Sequence, residues 1–285
     1  MSNLAASVRA RLLNIAKAEQ ADFNQLLVRY ALERFLYRLS QSAHADRFLL
    51  KGALLFNLWY GMPHRPTRDA DLLGYGPSDL ESIGLTFRDI ASVVVEDGIV
   101  FDPVSVRVEE IRKKAGYTGA RVVIAAELDR ARCKTQIDIG FGDAVTPGPV
   151  EAVYPVLITE FPAPHLRTYP VYTVIAEKLH AIALLGMTNS RLKDYLDIWV
   201  LIEREVLNAD TLAAAIAATF ARRGMAAGFE ASRIDSMTHC AAQTMDNPHS
   251  PNLFHMHAAP LPARTTVGMK IERTNVSLNG YGVED

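Results

Sequence analysis

Apolar residues recur at helical spacing through residues 21–42, ADFNQLLVRYALERFLYRLSQS, where Phe23, Leu26, Leu27, Tyr30, Phe35 and Leu39 form one stripe and predict a helix packed into a core. The first residues, MSNLAASVRARLLNIAKAE, also read as an amphipathic helix. The pattern then changes. FLLKG at 48–52 predicts a short strand stopped by Gly52, ALLFNLWYG a helix behind it, and GMPHRP a break. DADLLGYG at 69–76 predicts a second strand, and residues 79–92 a helix. Three more β-like runs, at roughly 104–111, 120–128 and 132–139, are separated by polar turns. A mixed sheet with helices beside it is the simplest architecture for these segments.

Six prolines crowd VTPGPVEAVYPVLITEFPAPHLRTYP, which predicts a linker or wrapping segment and a boundary near residue 165. Beyond it VYTVIAEKLHAIALLGM, RLKDYLDIWVLIERE and TLAAAIAATFARRG each predict a helix, the last followed by Gly224. In RLKDYLDIW, Leu192, Tyr195, Leu196 and Trp199 are expected as the apolar stripe, with Arg191, Asp194 and Asp197 recurring every three residues. The expected class is therefore α/β (α+β): a mixed-sheet domain with N-terminal helices over 1–165 and a helical domain over 166–236. The tail, 237–285, is irregular, with late prolines and polar residues that predict loops, a short hairpin around TTVGMKIERTNVSL, or disorder.

Composition narrows the function classes. At 285 residues and 49% hydrophobic, the chain can bury one large core or two smaller ones. No apolar run approaches the roughly 20 residues of a membrane span and no signal-peptide core is present, so a cytoplasmic protein is expected. A net charge of −2 argues against coating nucleic acid through bulk charge. Local patches stay open: Arg112, Lys113 and Lys114, then Arg130, Arg132 and Lys134, and finally Arg222 with Arg223 are candidate RNA contacts, each equally readable as solvated surface. Cys133 and Cys240 suggest neither a disulfide framework nor structural zinc. His64, His165, His180 and His239 lack metal-ligand spacing, and His180 is expected as a satisfied core histidine; GxSxG and Walker loops are absent.

The chemistry concentrates in RPTRDAD, residues 65–71. Residues two apart on a strand share a face, so the carboxylates of Asp69 and Asp71 converge and repel unless a cation lies between them. Mg²⁺, or Mn²⁺, suits such hard oxygen ligands. A lone DxD reads as easily as a solvated strand end, but Gly52 and Ala53 place a small-residue turn at a helix start, where backbone N–H groups can approach a phosphate. Asp138 in TQIDIGF supplies a third strand acid. A glycine turn, a DxD strand and a later acid are the parts of nucleotidyl transfer. By alternation Arg65, Thr67, Asp69 and Asp71 share one face, so Arg65 is the better triphosphate ligand and Arg68 the structural ion pair. Lys51 reads as a strand-end charge within reach of the same pocket.

The order KGALLF, RPTRDADLLG, QIDIGFGD, IAEKLHA and RLKDYLDIW, over residues 20–205, resembles the AbiEii family of nucleotidyltransferase-like toxins, within the DNA polymerase β-type superfamily. The sequence departs from that pattern in having Gly-Ala where Gly-Gly or Gly-Ser is usual, and a slightly longer gap to the acids. The resemblance implies that Asp69, Asp71 and Asp138 bind metal and that Gly52, Ala53, Arg65, Thr67 and Lys178 bind nucleotide. Lys178 matches the motif lysine, and Asp194 or Asp197 the last acidic motif. It further implies a toxin of a bacterial toxin–antitoxin or phage-defence system, transferring NMP from an NTP to an RNA such as a tRNA 3′ end, with a cognate antitoxin. Against this, Glu177 and Lys178 are also readable as a solvated helix face, and Asp194 as a surface ion pair with Arg191 or Lys193. Two other functions compete: an antibiotic-type, small-molecule nucleotidyltransferase, and an inactive nucleotide-binding module. Retention of all three acids opposes the module, since an unused acidic cluster repels itself.

Overall fold

In the computed structural model, which describes residues 2–61, 67–113, 117–185 and 192–224, helix α1 (Ser2–Ala18) leads into α2 (Phe23–Gln41). The Asp22 carboxylate starts α2 by accepting the Gln25 N–H at 2.9 Å. The expected stripe is buried, but so are three charged residues, Glu33, Arg34 and Arg38. Arg38 forks onto the Asp97 carboxylate at 2.7 and 3.1 Å and also donates to the carbonyls of Arg34 and Ile99. Tyr30 donates its hydroxyl to the Asp97 carbonyl at 2.6 Å. Glu33 accepts the Leu157 N–H at 2.7 Å, and Arg34 donates to the Pro162 carbonyl at 3.0 Å. Burial pushes the Glu33 carboxyl up to about 7, although Arg34 pulls the other way. Polar contacts with distant segments thus fix α2 in place.

The strands are β1 (Phe48–Lys51), β2 (Asp69–Gly74), β3 (Ile99–Phe101), β4 (Arg107–Lys113), β5 (Tyr117–Leu128), β6 (Ala131–Phe141), β7 (Val150–Val153) and β8 (His165–Thr168). They form one mixed sheet in the order β3-β5-β6-β2-β1-β8-β7, with β4 also paired to β5. β2 runs parallel to β6 and antiparallel to β1. Between β5 and β6, Asp129 and Arg130 both take positive φ, 44° and 66°, as a two-residue hairpin turn matched to strand twist requires. Helix α3 (Leu54–Tyr60) follows β1, and α4 (Leu80–Ala91) starts where Asp79 accepts the Ser82 N–H at 2.8 Å. After β8 come α5 (Val171–Leu185), α6 (Leu192–Arg204) and α7 (Ala209–Arg222).

The proline-rich stretch, expected as a linker or a wrapping segment, carries regular structure. It supplies β7 and β8, because its prolines lie outside both strands and remove no ladder N–H. β8 lies on β1, where Leu50 pairs with Thr168 and the Tyr169 N–H donates to the Leu50 carbonyl at 3.0 Å. All described residues belong to one compact unit, Met1–Glu230, whereas the tail from 237, Cys240 and His239 included, lies outside them. No described helix is long and apolar enough to cross a membrane.

Candidate active site

Strand register sets four charged residues in a row across four neighbouring strands. Lys51 on β1 pairs with Asp71 on β2, Asp71 with Asp138 on β6, and Asp138 with Arg121 on β5. Paired residues project from the same sheet face. Asp69 lies two positions before Asp71, opposite Gln136, and so shares that face. Sheet pairing therefore sets Asp69, Asp71 and Asp138 on one face of the sheet, although they do not close into the expected three-acid metal cluster. Thr67 donates its hydroxyl to Asp69 Oδ1 at 2.7 Å, and Arg68 is exposed. Arg65 and His64 lie outside the described residues.

Gly52 turns the chain at φ +74°, from β1 into the short helix begun after Ala53. A Cβ at this position would stand 2.8 Å from the Cβ and Cγ of Asp71, and nearer still to its Oδ2. The turn and the DxD strand are thus in direct contact, and glycine is the residue that permits both the φ and the approach.

Asp138 is held by a residue that the sequence did not single out. Arg121 donates Nε to Oδ1 and Nη2 to Oδ2, both at 2.8 Å, and Gln136 approaches Oδ1 at 3.4 Å. The hydrogen bond with Asp138 raises the Arg121 pKa against some desolvation, and the carboxylates of Glu109 and Asp69 add to it. Among the described residues, no three His, Cys, Asp or Glu side chains stand together as a metal cage.

Lys51 proves not to be a strand-end charge. Its buried ammonium donates to Asp143 Oδ2 at 2.7 Å, to both Glu177 oxygens at 3.1 and 3.2 Å, and to the Tyr169 hydroxyl at 3.4 Å. Arg223 reaches Asp143 Oδ1 and Glu177 Oε1, each at 2.9 Å. Burial pulls the Lys51 pKa down, but Glu177, Tyr169 and Asp143 outweigh it and hold the ammonium well above the ordinary lysine value. Burial favours a neutral Asp143, yet Lys51 and Arg223 hold its carboxyl far below the usual carboxylate range. Glu177 is thus no solvated helix face, and Arg223 turns inward rather than out toward an RNA.

Lys178, next on α5, donates to Asp194 Oδ1 at 3.3 Å and to Asp197 Oδ2. Both acids are buried, and they decide the orientation of α6: Asp194, Asp197, Ile198 and Leu201 face in. The expected apolar stripe is corrected accordingly, with Leu192 63% and Trp199 44% exposed. An ammonium enclosed without carboxylates costs more than leaving two apolar side chains in water. Both Asp194 and Asp197 serve the same lysine; Arg191 lies outside the described residues. His180 is buried edge-on to Phe220 at 5.2 Å, but its Nε2 has no hydrogen-bond partner among the described residues, so it is a core histidine left unsatisfied. Burial lowers its pKa, with Arg223 adding to the effect. Of the basic clusters, Arg132 pairs with Glu127 at 2.9 Å, Lys134 is exposed, Arg130 occupies the hairpin turn, and Arg222 donates to the Gly142 carbonyl. Lys114 and the side chains of Arg112 and Lys113 lie outside what is described.

Solved structures of similar outline include JHP933 from Helicobacter pylori, 14% identical with a TM-score of 0.44, the match covering 78% of this chain and 98% of that one. Another is ANT(2")-Ia in complex with adenylyl-2"-tobramycin, 14% identical with a TM-score of 0.41, covering 69% of this chain and 98% of that one. No curated protein matches the chain in sequence. Residues 34–263 match the family described as nucleotidyl transferase AbiEii toxin, type IV toxin–antitoxin system, a span that includes the Gly52 turn, the DxD of β2, Asp138, Lys178 and the α6 acids. The chain belongs to the AbiEii nucleotidyl transferase toxins.

Proposed function

We propose that this toxin transfers a nucleoside monophosphate from an NTP to an RNA acceptor, a tRNA 3′ end, in the cytoplasm of a bacterium, within a system that also restrains phage. The toxin–antitoxin family implies an antitoxin as partner. One observation carries the reading: Asp69 and Asp71 project from one face of β2, against a glycine turn that leaves no side chain over Asp71. That donor set, hard oxygens beside open backbone, fits a divalent cation, Mg²⁺ or Mn²⁺, with Asp69 and Asp71 as its protein ligands. Such a cation, when bound, offsets the charge of the triphosphate.

The chain's own groups do the rest. Thr67 fixes the Asp69 carboxylate by its 2.7 Å hydrogen bond. Gly52 and Ala53 present backbone to phosphate oxygens, and Arg65 adds a guanidinium suited to them. Lys178, held by Asp194 and Asp197, supplies a positioned ammonium for the same phosphates. The acceptor hydroxyl oxygen bonds to the α-phosphorus as the bond to the bridging oxygen of the β-phosphate breaks. Pyrophosphate departs, and a site carboxylate takes the hydroxyl proton.

The test is incubation of purified protein with total bacterial tRNA, Mg²⁺ and each α-labelled NTP in turn, beside Asp69→Asn. Label should enter RNA with one or more NTPs and not in the variant. Absence of label from every reaction would refute the RNA acceptor, and pyrophosphate released with an aminoglycoside alone would establish a small-molecule acceptor instead.

A further inference from the structure

Asp71 and Asp138 stand side by side on neighbouring parallel strands, where two carboxylates repel each other strongly. Such a pair is tolerated if a cation lies between the carboxylates or if one is neutralised from outside. For Asp138 the second solution is in place: both oxygens accept from the Arg121 guanidinium at 2.8 Å, and the amide of Gln136 lies 3.4 Å from one of them. A bidentate guanidinium takes one lone pair on each oxygen and offsets the carboxylate's charge, so a cation gains less there, and arginine does not surrender its charge. The pairing is fixed by backbone as well as by side chains, because Arg121 and Asp138 are direct partners across the β5–β6 hairpin. Asp69, by contrast, is tied to a neutral hydroxyl, which orients a carboxylate without spending its charge.

We propose that Arg121 is a positioning residue that commits Asp138 to an ion pair, so that cation binding in this chain falls to Asp69 and Asp71. The inference rests on the metal-dependent reading above and deepens it. Asp138 then acts as a fixed, compensated neighbour of Asp71 rather than as a ligand. A cation held by two carboxylates keeps most of its coordination positions for water and phosphate oxygens, the arrangement that suits Mg²⁺.

The experiment is a Mn²⁺ titration of the full chain without NTP, followed through the resonance of free Mn²⁺. It compares the wild type with Asp69→Asn, Asp71→Asn, Arg121→Gln and the double variant Arg121→Gln/Asp138→Asn. Asp69→Asn and Asp71→Asn should each weaken binding about tenfold or more. Arg121→Gln frees a third carboxylate and should strengthen it about tenfold, since affinity follows ligand charge. The double variant leaves no charge unpaired, so it keeps the test valid even if a single variant fails to fold, and it should bind Mn²⁺ as the wild type does. Weakening in the double variant equal to that in Asp69→Asn would make Asp138 a ligand and overturn the inference, while the metal-dependent reading stands. Mn²⁺ binding left unchanged by Asp69→Asn and Asp71→Asn would overturn that reading, and the inference with it.

Discussion

Replacing Gly52 by alanine separates two reasons for a glycine at the turn. The first is backbone: φ is +74°, and a Cβ in that region costs about 1–2 kcal/mol. The second is contact with the DxD strand. The new Cβ would lie 2.8 Å from Asp71 Cβ and Cγ, against an ordinary separation of about 3.5–4 Å. Asp71 cannot easily yield, because β2 is paired on both sides at this residue, to Lys51 and to Asp138. Forced overpacking of this kind adds about 1–3 kcal/mol, for a total of about 2–5 kcal/mol. Gly61 provides the control: its φ is +69°, and a Cβ there meets nothing within 4 Å among the described residues, so Gly61→Ala should show the backbone cost alone. Urea unfolding of both variants, with slopes compared to confirm two-state behaviour, measures the difference. Equal losses in the two variants would refute the claim that Asp71 is packed on the turn. A Mn²⁺ titration of Gly52→Ala should also show weakened binding, because the displaced carboxylate is one of the two proposed ligands.

Other consequences are as direct. Arg38→Ala would strand the fully buried Asp97 carboxylate and should cost about 3–5 kcal/mol in urea unfolding, where a loss below about 1 kcal/mol would mean the pair behaves as an exposed one. Glu33 should make stability fall with rising pH: its folded pKa of about 7 exceeds the ordinary 4.5, so the folded state binds more protons between those values. Relative to wild type, Glu33→Gln should therefore gain stability from pH 4.5 to 8, by up to about 3 kcal/mol, and a pH-independent difference would refute the raised pKa. Lys178→Met should abolish nucleotide transfer and lower stability by removing an ammonium that donates to both buried acids, Asp194 and Asp197; ordinary turnover would remove Lys178 from the nucleotide site.

What was legible in the sequence was whatever depends on local period. The α2 stripe, the β2 strand carrying Asp69 and Asp71, the α4 helix and the β5–β6 hairpin follow from spacing and turn residues. Asp138 was visible because TQIDIGF alternates. Long-range pairing was not legible. Arg121 sits in ARVVIAAEL, an ordinary strand pattern, and only the hairpin register shows it opposite Asp138. Lys51 finds Asp143 and Glu177, 92 and 126 residues away, so nothing near it in the chain marks it as buried. Prolines suggested a linker where two strands of four residues fit between them. On α6, apolar spacing favoured Leu192 and Trp199 as the inner face, but Lys178 on another helix turned Asp194 and Asp197 inward.

The cluster around Lys51 has a consequence for the order of synthesis. Its members are residues 51, 143, 169, 177 and 223, so the lysine leaves the ribosome first and Arg223 long after it. A nascent chain that ends before α5 already carries Gly52, Asp69, Asp71 and Asp138, yet has neither Glu177 to hold Lys51 nor Lys178 to meet phosphate. Domains acquire fixed tertiary packing only once the segments that complete them have emerged. Abandoned translation products that stop before Arg223 thus possess the acids of the site without the full set of partners that holds Lys51 beside them.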